Sequence, residues 1–291
     1  MSDDIRYQSA DGLSLYAKSY GPADAGLTVL CMHGLTRNHK DFEPMIDALQ
    51  AEGVKCRFVA VDVRGRANSD CDSKPENYAP PVYAQDMIAL LDHLNVEKAL
   101  LIGTSMGGIM SMFMMSMIPD RILGVVLNDI GPELEQRGLD RIAGYVGGNE
   151  PKASYEDAAI AVAEVQKAAF PDYGPSDWLA FARRTYRMRN DGKVELDYDP
   201  EISRTIGDVT PTPEIKAAMW QLFGLMKSAP LLLIRGELTD LLSADIAQKM
   251  IEAHGNAKLV TVPRVGHAPL LDEVEAVTAI KSFLENAKVP A

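Results

Sequence analysis

Short apolar runs alternate with helical patterns along residues 27–127, and this alternation limits the possible folds more than any other feature of the sequence. Runs 27–32 and 57–61 are apolar throughout, as expected of strands that are buried on both faces. The segments at 42–51 and 82–94 place apolar residues at helical spacing. Strands joined by helices form βαβ units with a parallel sheet. We therefore predict an α/β fold with a mostly parallel, twisted sheet of about eight strands, covered by helices.

Both ends of the chain contribute to the predicted sheet. Residues 5–8 and 13–17 alternate around Asp11-Gly12, which is typical of a β-hairpin, so the sheet should begin with an antiparallel pair. The alternation stops after the sixth strand and resumes near residue 231. We predict a core of residues 1–130 and 230–291. A mostly helical lid, residues 131–229, with a polar loop at 191–200, should be inserted after the sixth strand and cover a binding cleft.

Composition narrows the classes of function. A net charge of −12 counts against a nucleic-acid partner and against an anionic membrane surface. No apolar stretch approaches membrane-spanning length. The three cysteines form no paired framework, and the acidic N-terminal residues do not resemble a secretion signal, which together favour the cytoplasm. We expect a small-molecule substrate and no nucleic-acid or membrane partner, while a homo-oligomer stays open.

One predicted strand leads directly into a serine flanked by glycines. Residues Gly103-Thr104-Ser105-Met106-Gly107 match the pattern G-x-S-x-G, with an apolar run before them and a helical pattern after them. This is the context of a nucleophile elbow, where a sharp turn from strand to helix requires small neighbours. The free N–H groups at the start of the helix can stabilise developing negative charge. The pattern alone is weak, but its context makes Ser105 a candidate nucleophile.

A serine nucleophile needs a base, and the base needs an orienting carboxylate. Among the five histidines, His267 follows the last predicted strand and so lies at the same sheet edge as Ser105. Asp240 follows the preceding strand at this edge, and its loop leads toward the loop of His267. Asp129 is the rival acid, and Glu237 is a weaker one. We favour Asp240 and predict a catalytic triad of Ser105, Asp240 and His267.

The remaining requirement is a pair of donors for an oxyanion. Met106, directly after the nucleophile, can supply one backbone N–H. The other donor should come from the loop after the strand at 27–32, where Leu35 is the best candidate. In this loop His33 shapes the turn and does not act as the base.

With these motifs in place, the chain resembles the α/β-hydrolases, in the lid-bearing branch that holds esterases, enol-lactonases and C–C hydrolases. The order Ser105, Asp240, His267 is the order of that family. Two departures are Ala67, where the family often has a second glycine, and Thr104, where many members have histidine. The resemblance rests on five segments outside the insertion: C-M-H-G-L-T (31–36), D-V-R-G-R-A-N-S-D (62–70), G-T-S-M-G-G (103–108), L-L-L-I-R-G-E-L-T-D (231–240) and V-G-H-A-P (265–269).

The resemblance implies a serine hydrolase that cleaves a carboxylic ester or lactone of a small, largely apolar substrate through an acyl-enzyme. It implies no cofactor and no metal, because water supplies the second nucleophile. The same fold and triad also fit a C–C hydrolase of a ring-cleavage diketone, a cofactor-free haloperoxidase, or a slow-turnover or non-enzymatic receptor. Dehalogenases and epoxide hydrolases are disfavoured, because they have aspartate at the position of Ser105.

Overall fold

A computed structural model of the chain describes residues 2–148, 150–205 and 211–287. Its strands are β1 (Ser2–Gln8), β2 (Ser14–Tyr20), β3 (Thr28–Met32), β4 (Arg57–Asp62), β5 (Ala99–Thr104), β6 (Ile122–Asn128), β7 (Tyr186–Met188), β8 (Val194–Leu196), β9 (Leu231–Gly236) and β10 (Ala257–Val262). Its α-helices are α1 (Glu43–Ala51), α2 (Pro80–His93), α3 (Met106–Met117), α4 (Gln136–Tyr145), α5 (Tyr155–Gln166), α6 (Pro175–Thr185), α7 (Pro213–Gly224), α8 (Ala244–His254) and α9 (Val274–Glu285).

Eight strands form the main sheet, in the order β1-β2-β4-β3-β5-β6-β9-β10. Strand β2 pairs antiparallel with both β1 and β4, and the remaining neighbours are parallel. This confirms the predicted α/β fold with its N-terminal antiparallel hairpin. All parallel strands therefore direct their carboxyl ends to one edge, where open α/β sheets build their sites.

Helices cover both faces of the sheet. The residues of the central strands are therefore buried on each side. In β3, Leu30 and Met32 belong to one apolar cluster, while Val29 and Cys31 belong to the other. Helices α1 and α9 pack on the second face, and α2, α3 and α8 pack on the first. Within the described residues, no helix has the length and apolar character needed to cross a lipid bilayer.

The segment between β6 and β9 contains α4, α5, α6 and α7, as the helical patterns predict. It also contains a two-stranded sheet of β7 and β8, so the prediction of a polar loop through residues 194–196 was wrong. Gly192 makes the turn with a φ of +81°, and Arg187 opposite Glu195 forms an ion pair of 2.9 Å. These strands are short and polar, so they lack the apolar run by which buried strands are found. The division into core and lid stays a prediction.

Helix α3 packs unusually close to the sheet. A Cβ added to Gly107 would lie 2.0 Å from the carbonyl oxygen of Met32 in β3, and one added to Gly103 would lie 2.3 Å from the carbonyl oxygen of Gly107. Both contacts are with backbone, which cannot rotate away as a flexible side chain can. The glycines therefore set the distance between α3 and the sheet.

Replacing Gly107 with alanine should lower the free energy of unfolding by about 1–3 kcal/mol or more, because helix α3 must move away from β3. Gly144→Ala is the matched control: Gly144 is also helical, but an added Cβ there meets nothing within 4 Å. The higher helix propensity of alanine should leave that variant neutral or more stable by up to about 1 kcal/mol. Urea unfolding of both variants measures the difference, and equal stabilities would contradict the close-packing account.

Candidate active site

Ser105 lies at the sharp turn between β5 and α3. Its φ of 52° and ψ of −114° fall in a region that L residues rarely adopt, at a cost of order 1–3 kcal/mol. The Ser105 N–H donates to the carbonyl oxygen of Asn128 at 3.0 Å, which ties the turn to the end of β6. The turn places the serine at the N-terminus of α3 and at the carboxyl edge of the sheet. This is the nucleophile-elbow geometry expected from the sequence pattern.

His267 connects this serine to a buried carboxylate. Its Nε2 lies 2.9 Å from Ser105 Oγ, and its Nδ1 lies 2.8 Å from Asp129 Oδ2. An ionised carboxylate only accepts hydrogen bonds, so Nδ1 carries the proton and Nε2 is free to accept from the serine hydroxyl. In this tautomer the imidazole can take the serine proton as the hydroxyl attacks.

Asp129 is fully buried, and its oxygens accept hydrogen bonds from groups of β9 and of the loop that follows. Its Oδ1 accepts from the Gly236 N–H at 3.0 Å, and its Oδ2 accepts from the Thr239 hydroxyl at 2.5 Å as well as from His267. Its own N–H donates to Ile234 at 2.8 Å. These bonds fix the carboxylate, and thereby the imidazole, across three loops at the sheet edge.

The structure corrects the choice of acid. Among the described residues, Asp240 forms no hydrogen bond with His267 but forms a fork with Arg141 of α4, with distances of 2.6 and 2.8 Å. Burial would raise the pKa of Asp240, but the hydrogen bonds and charge of Arg141 outweigh it and hold the pKa below its usual value. The physical reason is side-chain direction: Thr239 points to Asp129, so the next side chain faces the insertion. The weaker rival Glu237 accepts from the Arg264 N–H instead.

A signal in the sequence could have pointed to Asp129. It directly follows Asn128, the last residue of β6, whereas Asp240 lies several residues beyond the end of β9 at Gly236. A carboxylate adjacent to the strand end has less freedom to leave the sheet edge. The hydroxyl of Thr239, one position before Asp240, also belongs to this network, and no feature of the sequence predicted it.

The loop after β3 brings Leu35 to the serine. A Cβ added to Gly34, the residue before Leu35, would lie 3.8 Å from Ser105 Cβ, and Leu35 and Met106 line the same cavity as Ser105 and His267. Within the described residues, neither the Leu35 nor the Met106 backbone N–H donates a hydrogen bond. The two predicted oxyanion donors are thus available beside the serine.

His33 shapes this loop, as expected. Its Nε2 accepts from the Val63 N–H at 3.1 Å, so its Nδ1 carries a proton and donates to the Gly34 carbonyl oxygen at 2.7 Å. Burial lowers the pKa of His33 to about 4, which keeps the ring neutral. A neutral ring with one donor and one acceptor matches both of its partners.

A cavity of about 710 Å³ opens from Ser105 and His267 between the sheet edge and the insertion. Its lining is mostly apolar and comes from both parts, including Ile109 and Ile130 below and Ile142, Val162 and Phe181 above. In the described ranges, no group of three or more His, Cys, Asp or Glu side chains is placed to hold a metal ion. The arrangement as a whole offers a serine, a base, an acid and two N–H donors beside an apolar space.

Comparison with known proteins identifies the class. Residues 28–274 match the family model of the alpha/beta hydrolase fold, so the chain belongs to this family. The fold and the serine-bearing turn described above agree with that assignment.

Similar proteins include two curated hydrolases and one solved structure. The chain is 31% identical to the 3-hydroxybutyrate-oligomer hydrolase of Cupriavidus necator, over 89% of this chain and 88% of the relative. It is 28% identical to the 2-(acetamidomethylene)succinate hydrolase of Mesorhizobium japonicum, over 89% and 87%. The crystal structure of an α/β hydrolase from Novosphingobium aromaticivorans superposes with a TM-score of 0.88 at 39% identity, covering 98% of each chain. The chain is thus a hydrolase by family.

The two carboxylates should behave differently when each is replaced by its amide. Asp129→Asn should slow the labelling of Ser105 by a fluorophosphonate, because the amide would hold His267 in the wrong tautomer. In a comparable triad this change lowers turnover by about 10⁴-fold. Asp240→Asn is the matched control. It should slow labelling by less than about tenfold, since Asp240 forms no hydrogen bond with the imidazole. A larger loss in the Asp240 variant than in the Asp129 variant would indicate that Asp240 is the carboxylate that orients His267.

Proposed function

We propose that the protein is a serine hydrolase that cleaves a carboxylic ester or lactone of a small, largely apolar substrate through an acyl-enzyme. The observation that carries the proposal is the continuous chain of hydrogen bonds from Ser105 through His267 to Asp129, at the mouth of an apolar cavity. Serine is a weak nucleophile alone and becomes a strong one when such a base removes its proton. A series of hydrogen bonds with this geometry is expected of a catalytic site rather than of a purely structural protein.

Acylation uses every group of the site. Ser105 Oγ attacks the substrate carbonyl carbon while His267 Nε2 takes the hydroxyl proton. The carbonyl oxygen becomes an oxyanion, which the Leu35 and Met106 N–H groups stabilise. When this intermediate collapses, the bond to the alcohol oxygen breaks and His267 returns the proton to that oxygen. Asp129 stays ionised and stabilises the imidazolium throughout.

Deacylation repeats these steps with water. His267 takes a proton from a water molecule, and the resulting hydroxide attacks the acyl carbon of the Ser105 ester. A second oxyanion forms in the same place, and its collapse releases the carboxylic acid and returns the proton to Ser105. These steps need no cofactor, because water supplies the second nucleophile and His267 carries each proton.

The cavity suggests which substrates to test first. Its apolar lining favours an aliphatic chain over a highly polar group, since burial of apolar surface supplies most of the binding free energy. The relative from Cupriavidus necator is named for hydrolysis of 3-hydroxybutyrate oligomers. Esters of short hydroxy acids and of short fatty acids are therefore the classes with the best support.

Ser105→Ala should abolish hydrolysis of 4-nitrophenyl butyrate, with a loss on the order of 10⁶-fold in kcat. The matched control is Ser116→Ala, since Ser116 is an exposed serine on the same helix whose hydroxyl bonds to Phe113. Release of 4-nitrophenolate and far-UV circular dichroism measure activity and folding. Full activity in the Ser105 variant would rule out the serine mechanism.

A further inference from the structure

Arg66 is a buried cation without a counter-ion. The residue is 0% exposed, and its guanidinium bonds only to uncharged groups. These are the carbonyl oxygens of Leu35 (3.0 Å) and Arg64 (2.7 Å), the Tyr83 hydroxyl (3.0 Å) and Met106 Sδ (3.6 Å). No carboxylate among the described residues pairs with it. A buried charge is costly to keep unpaired, so its retention calls for an explanation.

The neighbouring Arg64 shows the contrast. It is equally buried, but its guanidinium bonds to three carboxylates, those of Asp86, Asp72 and Asp11, at 2.6–3.1 Å. Its charge is therefore compensated within the protein. The charge of Arg66, two residues along the chain, is balanced by dipoles and by the aromatic faces of Tyr83 and Tyr78, 4.9 and 5.7 Å from its Cζ.

The position of Arg66 explains the missing counter-ion. Its guanidinium contacts both residues that carry the proposed oxyanion donors, Leu35 through its carbonyl oxygen and Met106 through its sulfur. The bond to the Leu35 carbonyl oxygen restrains that residue and thereby the position of its N–H. A positive charge behind both donors also attracts the oxyanion, and this attraction is strong in a buried, water-poor site.

We propose that Arg66 is a positioning residue that stabilises the oxyanion through Leu35 and Met106, with its counter-charge supplied by the reaction intermediate itself. This inference rests on the proposed serine hydrolase function. A carboxylate partner in the protein would cancel the effect, since it would neutralise the field at the donors. The ester group itself is neutral before attack, so Arg66 should matter little for its binding.

The test compares Arg66→Gln, which keeps an N–H donor without the charge, with Arg66→Lys, which keeps the charge. We expect kcat for 4-nitrophenyl butyrate to fall at least tenfold in the Gln variant with KM within twofold, and the Lys variant to recover part of the loss. The Ki of 1-butaneboronic acid, which forms a tetrahedral anion on the serine, should rise by the same factor. The Ki of neutral butyramide should change by less than twofold.

Equal losses for boronate and amide in the Gln variant, or no loss for either, would overturn the role of Arg66 while leaving the hydrolase intact. If the wild-type chain neither hydrolyses the ester nor binds the boronate, the proposed function fails and this role falls with it. Should the Gln variant unfold, Arg66→Lys and Arg66→Met give the same comparison.

A second, independent feature lies on the insertion, at the Arg141–Asp240 fork. Two nitrogens of Arg141 bind Asp240, while its Nη1 is buried and has no hydrogen-bond partner within the described part of the chain. Tyr145 follows Arg141 by one helical turn on α4, so the two side chains share a face of the helix. Tyr145 and Gln166 both line the cavity.

Two arginines act on the Tyr145 hydroxyl, Arg141 and Arg37, and each is paired with a carboxylate, Asp240 and Asp41 respectively. The attraction of this position for a substrate group therefore comes from the unpaired Nη1 donor of Arg141 and not from a net charge. The cavity lining is mostly apolar, so a polar substrate group gains from hydrogen bonds at this position. An unpaired buried donor such as Arg141 Nη1 gains when an acceptor approaches.

From this we infer that Tyr145 and Gln166, with Arg141 behind them, form a subsite for a carboxylate carried by the substrate at a distance from the scissile bond. The inference rests on the proposed function and names its substrate class: an ester with a second, free carboxylate. Asp240 then has the role of holding Arg141 at the subsite, so it is a positioning residue rather than the triad acid.

Two pairs of esters test the subsite, because the carboxylate can lie on either side of the bond. They are the mono-4-nitrophenyl ester of glutaric acid against that of glutaramic acid, and 3-butyryloxybutanoate against its primary amide. We expect the carboxylate to exceed the amide in kcat/KM by at least tenfold in one pair. Tyr145→Phe and Arg141→Leu should each remove most of this ratio. Tyr155→Phe is the control and should preserve it, because Tyr155, on α5, instead packs its ring under the guanidinium of Arg183.

Equal rates for carboxylate and amide in both pairs, or a ratio that survives both variants, would overturn the subsite without touching the hydrolase mechanism. A chain that cleaves none of the four esters would contradict the proposed function instead. In that case calorimetric binding of glutarate and glutaramate to the Ser105→Ala variant decides the subsite separately, with tighter glutarate binding as the supporting result.

Discussion

The turn at Ser105 depends on how closely helix α3 approaches the sheet, and the rest of the site is arranged around that approach. The serine has a positive φ, which costs free energy, and the cost is offset by the packing of Gly107 against Met32 and by the bond to Asn128. A larger residue at Gly107 would push the helix outward and draw Ser105 away from His267. The distance of 2.9 Å between the serine and the imidazole is thus a consequence of backbone packing several ångströms away.

Two carboxylates near the imidazole, those of Asp129 and Asp240, have separate partners and therefore separate roles. Asp129 is fully buried, accepts from three donors and orients His267. Asp240 binds Arg141 and joins the core to the insertion. Because each charge has its own partner, a change at one should leave the role of the other intact. The site therefore combines a buried carboxylate bonded to the imidazole with a separate ion pair between the core and the insertion.

The sequence predicts well the sheet, the sharp turn at Ser105 and the placement of His267 at the same sheet edge, because each follows from local pattern. Buried parallel strands must be apolar on both faces, and the turn at 103–107 needs small residues. Ala67 shows the limit of such patterns: it replaces a family glycine but still adopts a φ of 43°. The acid was misassigned because the choice depends on which way Thr239 and Asp240 point, and this is fixed by tertiary packing. Arg66 escaped notice because its partners come from three distant segments of the chain.

A crystal structure of the protein after reaction with a fluorophosphonate would test the central claim most directly. The account predicts phosphorus bound to Ser105 Oγ, with one phosphonyl oxygen about 2.7–3.1 Å from the backbone nitrogens of Leu35 and Met106. His267 Nδ1 should still contact Asp129. A phosphonyl oxygen turned away from both nitrogens, or an imidazole bonded to Asp240, would contradict it.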